Sequence, residues 1–206
     1  MIELSDKYYI AEGLARVCYQ HPEDSNLCIK IGKPEVEVEH LYKEINYFKK
    51  LKNKDKSAFD YMFYADYHGE IDTNLGTGFV YDLVKDETTN QISLTLRHYL
   101  EMENSPINDV IFEKELHRLK EEMIRHRIFV GDFRARNICC KLLKNNSIEL
   151  IVIDGLGHRD FFPFADYSTY FARKKVERRF IKSNMHSLEA QRQLIKRLRA
   201  AGETIV

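Results

Sequence analysis

A chain of 206 residues holds one large domain or two small lobes, and its 44% share of hydrophobic residues fills an ordinary core without a staple. Lys+Arg 32 against Asp+Glu 32 cancel to a formal net charge of zero, so no overall charge points to nucleic acid as a partner. Cys18, Cys28, Cys139 and Cys140 show no CxxC spacing, the start MIELSDKYYI has neither a basic n-region nor an apolar h-region, and no apolar run approaches the ~20 residues of a spanning helix. The chain reads as cytosolic with reduced thiols, and no transmembrane insertion is expected.

In chain order, Arg16 to His21 and Asn26 to Ile31 read as strands joined by a turn of Pro22, Glu23, Asp24 and Ser25. In the second strand Leu27, Ile29 and Ile31 alternate with Cys28 and Lys30, which sets the lysine and the thiol on the face away from the aliphatic residues. From Val36 to about Lys52 the residues Val38, Leu41, Ile45 and Phe48 recur at spacings of three, four and three, a helical stripe. Glu44 borders that stripe, where an acid needs a partner to offset its burial. Glu37, seven positions earlier on the same face, is the rival for such a pairing. A second strand pair is expected at Tyr64 to His68 and Thr77 to Val84, around a turn-rich Asp72 to Gly76. The polar stretch Lys85 to Gln91 then reads as a connector, dividing the chain into an N-terminal lobe, 1–84, and a C-terminal lobe, 85–206.

The second half opens with a helical pattern, clearest from Asp109 to Arg127, where Phe112, Leu116, Leu119 and Met123 repeat at four, three and four. GDFRARN follows, then a hairpin: Ile138 to Leu143, a turn at Asn145-Asn146, and Glu149 to Ile153 running straight into Asp154-Gly155. Phe161 to Val206 reads as helices. Cys139-Cys140 has no matching Cys or His spacing and reads as a pair of buried structural thiols, and His158, just past the hairpin, reads as incidental.

Phosphoryl transfer needs a cation on the nucleotide phosphates, oxygen donors for magnesium, and a carboxylate that orients the attacking hydroxyl. Lys30, Glu44, Asp132, Asn137 and Asp154 offer these groups. Taken singly, Lys30 is an ordinary strand lysine, Asp132 a turn residue, Asn137 a loop cap and Asp154-Gly155 a tight turn. Their combination is the signal.

The run CIK resembles the VAIK strand of protein kinases, GDFRARN resembles the catalytic loop HRDLKxxN, and DGLG resembles DFG with one residue inserted. More closely, CYQHPEDSNLCIKI, LGTGFVYDLV and RNICC followed by VIDGLG resemble the YrbL-like family of bacteria, named for PhoP regulation, from about residue 10 to about residue 182. The resemblance implies an α+β, bilobal protein kinase-like fold. It would have an N-terminal antiparallel sheet with one helix and a reduced, mostly helical C-terminal lobe, with ATP and Mg2+ bound in the cleft. By the same resemblance Lys30 contacts the α and β phosphates and is held by Glu44. Asn137 and Asp154 hold magnesium, Asp132 accepts or orients the hydroxyl proton, and Arg134 neutralises the transferred phosphate. Gly13 belongs to the phosphate loop, and Cys28 and Val17 line the adenine pocket.

The pattern also departs from that of the kinases. EGLARV keeps only Gly13 of three glycines, Val130 stands where the catalytic histidine would be, no APE element is visible, and 52 residues follow Asp154. A small lobe of that size argues against docking a polypeptide substrate. The leading expectation is therefore an ATP- and magnesium-dependent phosphotransferase acting on a hydroxyl of a small molecule, sugar or lipid component. The alternative is a kinase-like regulatory module that binds nucleotide or a partner protein without turnover. Between Arg173 and Arg199 ten Lys or Arg stand against Glu177 and Glu189. That run reads either as a docking face for an anionic substrate or acidic partner, or as a solvated helical face. An anion or nucleic-acid binder working through these helices would show steep salt dependence.

Overall fold

Alternating burial builds a five-stranded antiparallel sheet from β1 (Tyr9–Glu12), β2 (Arg16–Gln20), β3 (Leu27–Gly32), β4 (Tyr67–Thr73) and β5 (Gly76–Asp82). Its order is β1-β2-β3-β5-β4, with helix α1 (Val38–Lys54) inserted in sequence between β3 and β4. The computed structural model describes residues 1–54, 63–157 and 164–201. They divide into two units, one over Met1–Lys85 and one from Asp86 onward.

In the first unit the two faces of the sheet have different covers. One face carries Ile29, Ile31 and Val80, closed by Ile2 and Leu4 of the N-terminal segment with Tyr19, Leu27 and Ile71 at its margin. The other face carries Tyr67, Phe79 and Tyr81 against α1, where the Phe48 ring packs on Tyr64, Tyr67 and Tyr81 at centroid distances of 5.8, 6.0 and 5.8 Å. Gly32 lets the helix come close, since a Cβ there would stand 2.4 Å from Leu41 Cδ1. The β2/β3 hairpin and α1 lie where the sequence expects them. The second strand pair is displaced: its first strand runs Tyr67–Thr73 rather than Tyr64–His68, and Asn74-Leu75 alone makes the turn. The polar teeth Glu70 and Asp72 look like loop by composition, but pairing with Phe79 and Thr77 holds them in the ladder. β1 was not foreseen either, because its residues are mostly exposed and leave no alternation to read.

The second unit contains α2 (Leu96–Glu101), α3 (Asp109–His126), the hairpin β6 (Ile138–Leu142) and β7 (Ile148–Val152), and α4 (Phe164–Tyr167), α5 (Thr169–Lys182) and α6 (Leu188–Ala200). Helix α3 starts where Asn108 accepts a hydrogen bond from the Val110 N–H, and stops where Arg127 turns left-handed. Its buried stripe is the expected Phe112, Leu116, Leu119 and Met123, joined by Ile124. Helix α3 packs on α5 and β7, and α2 packs on α6, on β6 and on the 3-10 turn Ala135–Asn137. At the start of the unit the buried Asp86 carboxylate accepts from the Ser93 hydroxyl (2.6 Å) and the Leu142 N–H (3.0 Å), tying the entry strap to β6. All four cysteines are free thiols, and among the described residues no helix is long and apolar enough to cross a membrane. The chain is thus a mixed α+β protein with an antiparallel sheet and several helices.

Candidate functional site

The candidate residues fall into two sets, one on each unit. On the first, β2 and β3 pair without a register break: Arg16 opposes Gly32, Cys18 opposes Lys30 and Gln20 opposes Cys28. Directly opposed residues share a face, so Arg16, Cys18, Cys28 and Lys30 all lie on the face that α1 covers. Val17 opposes Ile31 and lies on the other face. The sequence reading that set Val17 beside Cys28 in one adenine-lining wall is therefore corrected: Cys18 is the β2 residue on that face. The Cys18 and Cys28 thiols are hydrogen-bonded, and that bond together with burial pushes the Cys28 thiol well up from its ordinary value. Cys28 is thus a neutral packing group rather than a nucleophile.

Lys30 is 8% exposed, and its ammonium stands 4.4 Å from the centroid of the Tyr81 ring. Such a cation–π contact suits a cation taken out of water. Glu44 projects from α1 onto the same face and forms an ion pair with Arg16, Nη2 to Oε2 at 2.7 Å, with side chains 11% and 9% exposed. Arg16 also donates to the Tyr81 hydroxyl at 3.4 Å. The expectation that Glu44 needs a buried cation is met here by Arg16, a residue the sequence reading did not single out. Its only sequence signal is parity, two positions before Cys18, and parity becomes informative once the hairpin register is known. Glu37 is exposed. Gly13 ends the β1/β2 hairpin, donating its N–H to the Arg16 carbonyl at 2.8 Å, and a Cβ there would meet only that oxygen at 3.7 Å.

On the second unit, backbone bonds lace the GDFRARN loop to the DGLG turn. The Gly155 carbonyl accepts from both Gly131 and Asp132 N–H (2.7 and 3.2 Å), Ile153 donates to the Asn137 carbonyl (2.9 Å), and Gly157 donates to the Phe129 carbonyl (2.9 Å). These bonds bring Asp132, Asn137 and Asp154 together. Asn137 Nδ2 donates to the Asp132 backbone oxygen (2.9 Å) and to its Oδ2 (3.1 Å), while Arg134 Nε pairs with Asp132 Oδ1 at 2.9 Å. The Gly155 N–H donates to Asp154 Oδ1 at 2.7 Å. Gly155 has φ +82, and a Cβ on it would lie 2.9 Å from both Asp132 Cβ and the Asp132 carbonyl oxygen, so only glycine fits this crossing.

Asn137 directs its amide nitrogen at Asp132, while the Asn137 backbone carbonyl accepts from Ile153, the residue before Asp154. An amide oxygen and a carboxylate are the hard ligands that magnesium takes together with nucleotide phosphates. Among the described residues no group of three or more His, Cys, Asp or Glu side chains makes a self-sufficient metal cage. Arg136, in the 3-10 turn, is a further residue that sequence reasoning passed over. Partial burial and the neighbouring Arg134 push its guanidinium below its ordinary value, Asp132 opposes that shift, and Arg97 of α2 and Asp154 act on it more weakly. His158 lies outside the described residues.

The whole arrangement spans a stretch of chain that known proteins share. The chain is 29% identical over 199 residues to the uncharacterized protein YrbL of Escherichia coli (strain K12), covering 94% of this chain and 93% of that protein. YrbL of Shigella flexneri matches to the same extent, 29% over 199 residues. The family model described as PhoP regulatory network protein YrbL matches residues 2–186, from the first core strand partner Ile2 to past α5, and the chain belongs to that family.

Proposed function

We propose that this protein is an ATP- and magnesium-dependent phosphotransferase of protein kinase-like fold, acting on a hydroxyl of a small molecule, sugar or lipid component. The observation that carries the reading is the convergence of Asp132, Asn137 and Asp154 through the bonds of Asn137 Nδ2 and the Gly155 crossing. A sheet with one inserted helix, bearing a buried Lys30 on the helix-covered face, supports the same reading from the first unit. Lys30 would hold nucleotide phosphates, and Asn137 and Asp154 would hold magnesium, which supplies charge neutralisation at the phosphates. Asp132 orients the acceptor hydroxyl and takes its proton, and Arg134, already paired with Asp132, meets the charge of the group in transit.

A second reading has its own support. Asp132 is engaged on both carboxylate oxygens by Arg134 and Asn137, the β1/β2 hairpin offers only Gly13 toward a phosphate loop, and the family carries a regulatory description. On that reading the protein binds nucleotide or a partner protein without turnover. Thermal melting of the full chain separates the readings. ATP with magnesium at 100 times its Kd stabilises by about 2.7 kcal/mol, and Asp154→Ala removes that response. Asp132→Ala keeps the response and cuts phosphoryl transfer by about a hundredfold or more if Asp132 is the base. A melting response to ATP and magnesium with no phosphoryl transfer by the wild type establishes the regulatory reading, transfer unchanged in Asp132→Ala removes Asp132 as the base, and no response of the wild type to ATP and magnesium sinks both nucleotide readings.

A further inference from the structure

Helix α5 has two stripes, and only one of them is used by the core. Ala172, Val176 and Phe180 form the buried stripe of a helix that packs on α3. On the other side Tyr170, Lys174, Arg178 and Ile181 recur at intervals of four, four and three, with Phe171 and Lys182 beside them, and all six are exposed. Tyr170 is 60% exposed, Phe171 50% and Ile181 62%, and Tyr167, the last residue of α4, is 78% exposed. Single large apolar side chains on a surface are ordinary, but here three share one helix face.

The charges of α5 sort by face as well. Arg173 pairs with Glu121 of α3 at 3.1 Å. Glu177, the one acid of the helix, stands at the edge of the outward face and is turned to Arg173, 3.9 Å away. Lys174, Arg178 and Lys182 follow at intervals of four along the outward face, a row of like charges that opposes an isolated helix. The Lys174 ammonium lies 4.5 Å from the Tyr170 ring centroid, and the Tyr170 ring meets that of Phe171 edge to face at 5.5 Å. Cations and apolar groups are therefore interleaved on this face rather than segregated.

We propose that the outward face of α5, with Tyr167, is a docking surface for an anionic phospholipid membrane, which it meets along its length without spanning. Cations on such a helix meet lipid phosphates while rings and aliphatic side chains enter the boundary between headgroups and acyl chains, a layer that suits tyrosine and the long stem of lysine. A second copy of this chain would set like charges against like. A nucleic acid would match the charge but leave Ile181 without a partner, since bases stack on flat rings. Docking here needs no nucleotide, so it is independent of the phosphotransferase reading.

The test is cosedimentation of the full chain with vesicles of phosphatidylcholine alone and of phosphatidylcholine mixed with phosphatidylglycerol. The expected result is binding to the mixed vesicles and not to the neutral ones, weakened by added salt and by about fivefold for each charge removed in Lys174→Gln and Lys182→Gln. Combining Tyr170→Ser with Ile181→Ser should weaken it by about tenfold or more. Melting without vesicles shows that each variant is folded. A second readout does not depend on loss of function: the chain has no tryptophan, so Tyr170→Trp places the sole one on this face. Its emission should shift to the blue on mixed vesicles and be quenched by brominated acyl chains. Failure of the wild type to bind mixed vesicles overturns the proposal, as do equal binding to both kinds of vesicle, undiminished binding in the folded variants, and a Tyr170→Trp emission that vesicles leave unmoved. Salt-sensitive binding to single-stranded DNA without vesicle binding reassigns the face to nucleic acid, and self-association lost in Ile181→Ser reassigns it to a second copy; either result overturns the membrane assignment.

Discussion

Gly155 and Gly13 have opposite surroundings although both belong to motifs of the same resemblance. An alanine at 155 would meet left-handed backbone and two Asp132 atoms at 2.9 Å, whereas at 13 it would meet one oxygen at 3.7 Å. Gly155→Ala should cost about 1–2 kcal/mol from backbone conformation alone, with the Asp132 clash added, and Gly13→Ala should stay within about 0.5 kcal/mol. Urea unfolding of both variants checks this, and equal stability would show that the DGLG turn does not constrain Asp132. The Arg16–Glu44 pair makes a second demand. Breaking an ion pair this enclosed from one side is costly, so Glu44→Leu or Arg16→Met alone should cost about 3–5 kcal/mol, and the double variant should recover most of the loss. A double variant that simply sums the single losses would show that the two side chains act independently. Asp132, Asn137 and Asp154 were legible in the sequence because each sits at a fixed interval in a short motif. Arg16 and Arg136 were not, since their neighbours come from other elements. Val17 was misplaced for a related reason: spacing along one strand gives alternation, but the strand's face relative to Cys28 depends on the hairpin register.

At the scale of elements, α3 is clamped to its neighbours by arginines from the basic C-terminal helices. Arg192 of α6 grips Asp109 at the α3 N-terminus through two bonds, 2.7 and 2.6 Å, and Arg173 of α5 pairs with Glu121 at 3.3 and 3.1 Å. Part of the basic run thus serves the packing of its own unit. Those arginines hold the Asp109 and Glu121 carboxyls below their ordinary values of 3.8 and 4.5. A carboxyl with a lowered folded-state pKa contributes stability that is complete above its ordinary value and is lost as pH falls through the lowered one. Acid titration of the melting temperature should therefore fall below about pH 4.5, and Asp109→Asn should flatten part of that fall. The Asp109 share should be about 0.5 kcal/mol, because both groups are largely in water. A titration curve identical to wild type in Asp109→Asn would remove this clamp from the account. Helix α3 and the β2/β3 and β6/β7 hairpins were readable from period and turn residues, the strongest signals a lone sequence offers. β1 and the outer half of β4 were not, because exposed strands on a ladder keep their conformation through backbone pairing, which leaves little trace in side-chain pattern.

For the molecule as a whole, the proposed chemistry divides its groups between two units: Lys30 with its Tyr81 and Arg16 neighbours in one, and Asp132, Asn137 and Asp154 in the other. The Arg16–Glu44 pair is a bond within the first unit, and the Asn137 and Arg134 bonds to Asp132 lie within the second. Ligand that binds only the folded protein stabilises it through every residue that contributes to the binding. Lys30→Met and Asp154→Asn should accordingly each weaken the magnesium- and ATP-dependent rise in melting temperature, though they alter different units. Losing a charge-assisted contact to phosphate or metal lowers affinity by about tenfold or more, which removes about 1.4 kcal/mol from the stabilisation at a fixed ligand concentration. Both variants should melt close to wild type in buffer alone if Tyr81 and Phe79 keep the Lys30 site packed with methionine. A response that depends on Asp154 but is indifferent to Lys30 would refute the role proposed for Lys30. Dependence on both residues is the behaviour that the roles proposed for Lys30 and Asp154 require.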